Sequence, residues 1–438
     1  MERFKNEEAF KEIEAFKGII ERGTSAFHVV AHCKERLLKA GFQELEYGTS
    51  WEVEAGNNYL LTPFPSMLIA VSIGQEYKKV SPNIRIATAH TDSPCLKIKA
   101  NPKLPGNYYV RGNVEPYGGL LKSTWFDRPL GIAGKVVLKG TDAFHPQVRF
   151  IESKQAVCVI PSLAPHLTKG GEKTEMNIQQ EMMPIFGLQE SEDFLKEYLE
   201  QEFGILSEEL LDYDLYLYNM DAPELVGLHQ EMICAPRIDN LASVSALVEA
   251  MEDLSEQVHS NIAVAAMFDN EEIGSRSKQG ADSVLLPQVM EKLGVSLGID
   301  TTEWRDALAK GFLLSMDGAQ GHHPNYPEKS DPTNQIPLGK GVVIKTSASQ
   351  RYLSDSEASA VIKELCRIGG IPCQQQVNRS GMPGGQTLGP ILAAVLPMQG
   401  ADVGIPMLAM HSARELAACE DYRSLKELAK IYYQYGCE

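Results

Sequence analysis

The 438-residue chain is 43% hydrophobic and carries 41 Lys plus Arg against 58 Asp plus Glu, a formal net charge of −17. That length exceeds one ordinary core and predicts two domains, while the charge disfavours nucleic acid and anionic membranes as partners. No run of about 18 apolar residues is present, and the opening "MERFKNEEAFKEIEAFK" lacks a signal-peptide segment, so the expectation is a soluble, cytoplasmic protein. Small molecules, peptides, metals or sister subunits are the expected partners. The eight cysteines form no C-x-x-C pair, which fits reduced thiols better than a disulfide framework or a zinc knuckle.

In chain order, "NEEAFKEIEAFKGIIERG" and "SAFHVVAHCKERLLKAGF" place apolar residues at helical spacing, with Ser25 as N-cap of the second. "SMLIAVSIG" and "NIRIATAH" read as strands. From 98 to 229 the texture changes to short β-like pieces with Gly and Pro, "YYVRGNVEPYGGLLKSTWF", "GIAGKVVLKG" and "VCVIPS". A polar stretch at 169–181 and an acidic helix near 190–211 follow. This region reads as an insertion into a discontinuous domain of residues 1–97 and 230–438.

Beyond 230 strands and helices alternate: "LASVSALVEAMEDL" helix, "NIAVAAMF" strand, "LLPQVMEKLG" helix, "GFLLSM" strand, "SEASAVIKELCRIGG" helix, "VGIPMLAM" strand, "SLKELAKIYYQYG" helix. Such alternation predicts an α/β fold with a mainly parallel central sheet flanked by helices.

The apolar strands end in polar residues. "IRIATAH" ends in His90, "IAVAAMFDNEE" in Glu271 and Glu272, "FLLSMD" in Asp317 and "VGIPMLAMH" in His411, while Asp239 stands in "APRIDNLAS" ahead of a helix. Open α/β sheets bind ligands at that C-terminal edge. Each residue has an ordinary alternative: Asp239 an N-cap, His90 and His411 hydrogen-bonded core histidines, Glu271 and Glu272 a solvated loop. Their coincidence at equivalent strand ends favours a metal site, since carboxylates crowded at a crevice raise one another's pKa unless a cation joins them. Two histidines and three carboxylates suit two ions such as Zn²⁺ with one carboxylate bridging, leaving one glutamate as a base. In an extended segment Glu271 and Glu272 point in opposite directions, which would separate those roles. Metal-bound water with a positioned carboxylate is what hydrolysis of an unactivated amide needs. Asp92, two positions past His90, can accept the imidazole's other N–H, with an Asx turn before Ser93-Pro94 as the alternative.

Seven stretches, "AHTDSPCLKIK", "VEPYGGLLKSTWFDRPLGIAGKV", "RIDNLAS", "DNEEIGS", "HPNYPEKSDP", "IKTSASQRY" and "HSARE", together resemble the aspartyl aminopeptidase family of dinuclear zinc metallopeptidases. The resemblance runs from about 85 to 415. It implies His90, Asp239 and Asp317 on one zinc and Asp239, Glu272 and His411 on the other, with Asp239 bridging. Glu271 is then the general base and Asp92 the partner that orients His90. It further implies an inserted β-rich dimerisation domain, assembly to a dodecamer, and His166 reaching into a neighbouring subunit's site. A cis peptide after Asp239 and a preference for peptides with a free N-terminal Asp or Glu, recognised by Lys345, complete the implied set. Gln320 and the Gly385-Gln386-Thr387 turn depart from residues common in relatives, and Gly385 and Gln386 border the expected side-chain pocket. Two ions per subunit are implied, with Co²⁺ or Mn²⁺ as substitutes for zinc. The rival readings are an aminopeptidase of neutral specificity, a dinuclear zinc deacylase or carboxypeptidase, and a catalytically silent shell protein.

Overall fold

The computed structural model describes residues 7–105, 108–167, 176–188, 191–382 and 384–436, with side chains from residue 13 on. Cys437 and the first part of the polar stretch at 169–181 lie outside the described residues. The chain forms two compact units: Met1–Asp92, Pro223–Met410 and Glu415–Glu438 in the first, Ser93–Ala222 and His411–Arg414 in the second.

The first unit opens with helices α1 (Glu7–Arg22) and α2 (Ala26–Lys39) and strands β1 (Gln43–Glu44), β2 (Asn58–Phe64), β3 (Met67–Ile73) and β4 (Asn83–His90). Ser25 stands at the N-cap of α2 with extended backbone, but its hydroxyl bonds His28 Nδ1 at 2.8 Å instead of capping the helix.

The second unit begins earlier than the texture indicated, because β5 (Cys95–Leu104) already pairs with β6 (Val110–Tyr117). With β7 (Leu130–Asp142), β8 (His145–Glu152), β9 (Ile185–Gly187) and β10 (Leu210–Asn219) they form one antiparallel sheet in the order β8-β7-β10-β5-β6-β9. Alternate residues such as Leu96, Ile132, Val136 and Leu215 pack with Leu195 and Leu199. The short helix α3 (Ile178–Glu181) and α4 (Phe194–Phe203) belong here. α4 is shorter than the acidic helix expected at 190–211, since Gly204 at φ 65° closes it in the left-handed conformation and the following residues feed β10. "VCVIPS" makes isolated bridges, Leu130 to Cys158 and Val159 to Ile185, rather than a strand.

Back in the first unit come β11 (Glu224–Val226), β12 (Met232–Ala235), α5 (Ile238–Ser255), β13 (Asn261–Phe268), α6 (Leu285–Ser296), α7 (Thr301–Lys310), β14 (Phe312–Met316), β15 (Ala319–Gln320) and β16 (Val342–Lys345). α8 (Ser356–Gly369), β17 (Cys373–Gln376), α9 (Leu388–Val395), β18 (Gln399–Gly404), β19 (Pro406–Leu408), β20 (Glu415–Ala418) and α10 (Cys419–Gln434) complete it. Since β11 and β12 pair with each other and β12 with β20, the first unit resumes at Pro223, ahead of the expected 230.

Nine strands make the central sheet in the order β1-β2-β3-β13-β4-β14-β18-β16-β17, with β13, β4, β14 and β18 parallel at its middle. Alternation along each strand splits the core in two. Ala263, Ala265 and Met267 of β13 join the helices α1, α2, α5, α8 and α10, while Ile262, Val264, Ala266 and Phe268 join α6, α7 and α9. Both faces are thus covered, as parallel strands require.

"VGIPMLAM" is not one strand. β18 ends at Gly404 in the central sheet, Pro406 has no N–H to continue the ladder, and β19 pairs instead with β15 and β20. His411 therefore does not end a central strand.

Candidate metal centre

In register, His90 of β4 stands opposite Phe268 of β13, and Thr88 opposite Ser315 of β14. These strands therefore end at one level, and the residues just past them, Glu271, Glu272 and Asp317, leave the sheet at the edge where His90 sits.

His90 is 1% exposed. Its Nδ1 lies 3.1 Å from the carbonyl oxygen of Asp92 and 3.3 Å from Asp92 Oδ1, so Nδ1–H donates there and Nε2 is the nitrogen turned towards the other acids. That Nε2 is 3.4 Å from Asp317 Oδ1, 3.5 Å from Asp239 Oδ1 and 4.0 Å from Glu271 Oε2. Asp92 does more than orient the ring: its carboxylate accepts the backbone N–H of Glu271 at 3.2 Å and of Glu272 at 3.1 Å. One buried carboxylate thereby fixes the histidine and the glutamate turn together.

Glu271 and Glu272 occupy a 3₁₀ turn, Glu271–Ile273, between Asn270 at φ 63° and Gly274 at φ 96°. The expected extended segment, with the two carboxylates pointing apart, is absent. The turn instead brings donor atoms of His90, Glu271 and Glu272 within 4.8 Å of one another. Any difference in role must come from their surroundings.

Asp239 is not an N-cap: that position belongs to Arg237 at φ 60°, and Asp239 and Asn240 keep non-helical backbone. The peptide between Asp239 and Asn240 is cis. Both residues are tied to strands, Asp239 N–H donating to Glu415 Oε2 at 2.9 Å and Asn240 Nδ2 to the Met316 carbonyl at 2.8 Å.

Lys345, on the edge-proximal β16, is 1% exposed rather than a surface cation. Its ammonium donates to the Gly318 carbonyl at 2.9 Å and to Asp317 Oδ2 at 3.4 Å, and lies 5.4 Å from the centre of the Tyr352 ring. Burial works against the charge, but Asp317 and Asp402 outweigh it, and the pKa is held above the ordinary lysine value.

Burial likewise opposes charge on His90, and Asp239, Asp317 and Asp92 overcome it, raising the ring well above an ordinary imidazole. Burial pushes the Glu271 carboxyl up to about 8, with His90 opposing and Asp317, Asp92 and Asp239 adding to the rise. Asp269, behind them, is pushed up to about 7 by burial and by Asp92. A pocket that concentrates acids in this way suits a cation.

His90, Asp239 and Asp317, all buried, offer donor atoms within 4.8 Å of one another, a nitrogen-and-oxygen set that zinc accepts. We expect chelation to destabilise the protein and zinc to restore it. At free zinc a hundredfold above Kd the gain is about 2.7 kcal/mol, read as a rise in Tm on adding the metal back.

The remaining expected residues are placed less centrally. His411, at φ 65°, belongs to the short segment grouped with the second unit; its Nδ1 is 3.2 Å from the Gly119 carbonyl and its own carbonyl accepts from Leu121 N–H at 2.8 Å. Donation from Nδ1 would leave Nε2 for a metal, as at His90. His166 lies exposed on the 3₁₀ turn Pro165–Leu167. Gly385 and Gln386 are exposed ahead of α9, and among the described residues no hydrogen bond or ion pair ties them to the cluster.

Residues 19–433 match the family model described as aminopeptidase I zinc metalloprotease (M18). The chain belongs to the M18 aminopeptidase family. The probable M18 family aminopeptidase 2 of Clostridium novyi is 38% identical over 420 residues, 94% of this chain and 96% of that protein. A similarly named Pseudomonas aeruginosa protein is 36% identical over 421 residues, 94% and 96% of the two chains. Among solved structures, the cryo-EM structure of the Ape4 and Nbr1 complex gives a TM-score of 0.91 at 30% identity, covering 99% of this chain and 88% of that one. The M18 aminopeptidase of Thermotoga maritima shares the fold, with a TM-score of 0.87 at 21% identity and 99% of both chains covered. M18 membership makes this a metal-dependent aminopeptidase, a hydrolase of the zinc metallo-exopeptidase class. Among the described residues, no helix is long and apolar enough to cross a membrane.

Three residues of this M18 site escaped the sequence reading. Asp402 is fully buried beside Lys345, with its Oδ2 accepting Leu353 N–H at 2.5 Å. An acid inside the apolar run "GADVGIPM" was the available signal. Glu415 ends the recognised "HSARE" and Tyr352 ends "IKTSASQRY", yet only the fold brings them to Asp239 and Lys345.

Proposed function

We propose that the protein releases N-terminal Asp or Glu from peptides, using two zinc ions per subunit. The observation that carries the acidic preference is Lys345, a fully buried and charged lysine whose ammonium lies beside Asp317 of the candidate centre. Two of its N–H donors go to Gly318 and Asp317, and among the described residues the third has no hydrogen-bond partner, which suits a substrate carboxylate.

In this reading His90, Asp239 and Asp317 hold one ion and Asp239, Glu272 and His411 the other, donor sets of the kind zinc takes. When bound, the ions supply Lewis acidity for the peptide carbonyl and a lowered pKa for the attacking water. Glu271 accepts that water's proton at its carboxylate and returns it to the leaving amine. Asp92 keeps His90 in the ligating tautomer and, through the N–H groups of Glu271 and Glu272, keeps the base in place. Gly385 and Gln386 border the side-chain pocket.

The second unit is read as a dimerisation domain, and His166 of the partner subunit as a further group at the site. Support for a homo-oligomer comes from a yeast relative whose structure is titled a dodecamer, at 24% identity.

The test compares zinc-loaded and chelated protein on peptides beginning with free Asp, free Glu, free Leu and N-acetyl-Asp. We expect release of Asp and Glu to exceed that of Leu by at least about a hundredfold, to stop on chelation and to spare the acetylated peptide. A preference for Leu would overturn the acidic reading, and cleavage of N-acetyl-Asp would point to a deacylase.

A further inference from the structure

α8 ends in a turn that folds the chain back beside it. Gly370, at φ 63°, closes the helix in the left-handed conformation, and Ile371 N–H donates to the Cys366 carbonyl at 2.8 Å. β17 then runs parallel to β16, with Cys373 opposite Val342 and Gln375 opposite Ile344. Parallel partners share a face of the sheet, and Val342 and Ile344 pack in the same core as Ile362, Leu365 and Cys366 of α8. Cys373 and Gln375 therefore point to the side of the sheet that α8 covers.

Helix and strand meet there rung by rung. Lys363 donates to Gln375 Oε1 at 2.8 Å. Three residues on along the helix and two residues back along the strand stand Cys366 and Cys373, the next pair on the same faces, and their thiols are hydrogen-bonded to each other. The two differ in access: Cys366 is 1% exposed, whereas Cys373 is exposed on the edge strand of the central sheet.

Their acidities diverge as well. Donation from the Cys366 thiol holds Cys373 below the ordinary cysteine value, with burial opposing and the Lys363 ammonium adding to the fall. Cys366 is raised by that same bond, by burial and by the charge on Cys373. Elsewhere burial pushes Cys33 up to about 12 and Cys419 up to about 11. An accessible thiol inclined to ionise, backed by a buried one, is the arrangement of a nucleophile with its resolving partner.

We infer that Cys366 and Cys373 are a redox site, in which a hydroperoxide oxidises Cys373 and Cys366 captures the product as a disulfide. The Cys373 thiolate attacks one peroxide oxygen; the S–O bond forms, the O–O bond breaks, and hydroxide leaves with the electron pair. The sulfur is thereby oxidised to a sulfenic acid and the peroxide reduced. The Cys366 sulfur then attacks that of Cys373, its proton passing to the departing hydroxide, so an S–S bond replaces the S–O bond and water is released. A thiol reductant returns the electron pair and restores both thiols. Neither cysteine is among the metal-binding groups, so this chemistry is separate from that of the metal centre.

Peptide mapping of the zinc-loaded protein tests this, after stoichiometric hydrogen peroxide and alkylation of the remaining thiols. We expect tryptic peptides 364–367 and 368–379 to be recovered joined, about 2 Da below the sum of the separate peptides, and to part on adding dithiothreitol. Cys373 should be consumed at least about tenfold faster than the half-buried Cys95 and Cys234. Without its partner, in Cys366→Ala, it should proceed to the sulfinic acid, a gain of about 32 Da. Should that core substitution unfold the protein, Cys373→Ser, an exposed change, should leave Cys366 a free thiol after the same treatment. Two alkylated thiols in the peroxide-treated wild type, Cys373 joined to another cysteine or to a second chain, or Cys373 no faster than Cys95 would each overturn the assignment.

Discussion

Glu271→Gln should lower kcat by about 10²- to 10⁴-fold while the protein keeps its metal. Glutamine preserves size and keeps the backbone N–H that Asp92 accepts, so the turn holding residues 271 and 272 stays in place. What it loses is the capacity to take a proton. Glu272→Gln is the necessary companion, because the turn brings both carboxylates to the same neighbourhood of His90 and geometry alone does not separate them. In the proposed division of roles, Glu272→Gln weakens metal binding and loses activity for that reason, with partial recovery at high zinc. Metal content by elemental analysis and kcat at saturating zinc decide the matter. If Glu271→Gln emptied the site and Glu272→Gln kept it full but inactive, ligand and base would have to be exchanged.

The parts of this centre that were legible in the sequence share one physical cause. A strand buried on both faces tolerates few polar residues, so an apolar run that ends in His90 or Asp317 announces a side chain placed there for chemistry. The parallel strands β13, β4 and β14, which end beside one another at the middle of the sheet, made that rule dependable. It failed at "VGIPMLAM", where hydrophobicity continues unbroken while the chain changes sheets at Pro406, so His411 does not end the central strand that the rule assumed. β17, "CQQQ", gave no signal at all because an edge strand needs only one neighbour and little burial. Glu415 and Asp402 show the other limit: their roles depend on partners at Asp239 and Lys345, brought close only when distant segments pair. Family resemblance supplied the assignments within the cluster, and the extended geometry assumed for Glu271 and Glu272 was replaced by a single turn.

Lys345→Met should have two separable effects. Methionine fills much of the same volume without charge, so Asp317 and Asp402 lose the cation buried between them. Breaking a buried charge set in this way costs about 3–5 kcal/mol, read as a fall in the denaturation midpoint. The second effect is on specificity: if the ammonium receives the substrate's acidic side chain, the ratio of kcat/KM for Asp over Leu peptides falls by about 10²-fold or more. The ratio is the sharper measure, since any loss of folded or metal-loaded enzyme divides out. A variant that lost stability yet kept the ratio would show that Lys345 serves the neighbouring carboxylates alone. Acidic recognition would then have to be sought elsewhere, with Gln386 on the exposed loop before α9 as the next substitution to make. A variant that lost the ratio while retaining leucine release would join the buried cation to the substrate and leave the metal chemistry intact.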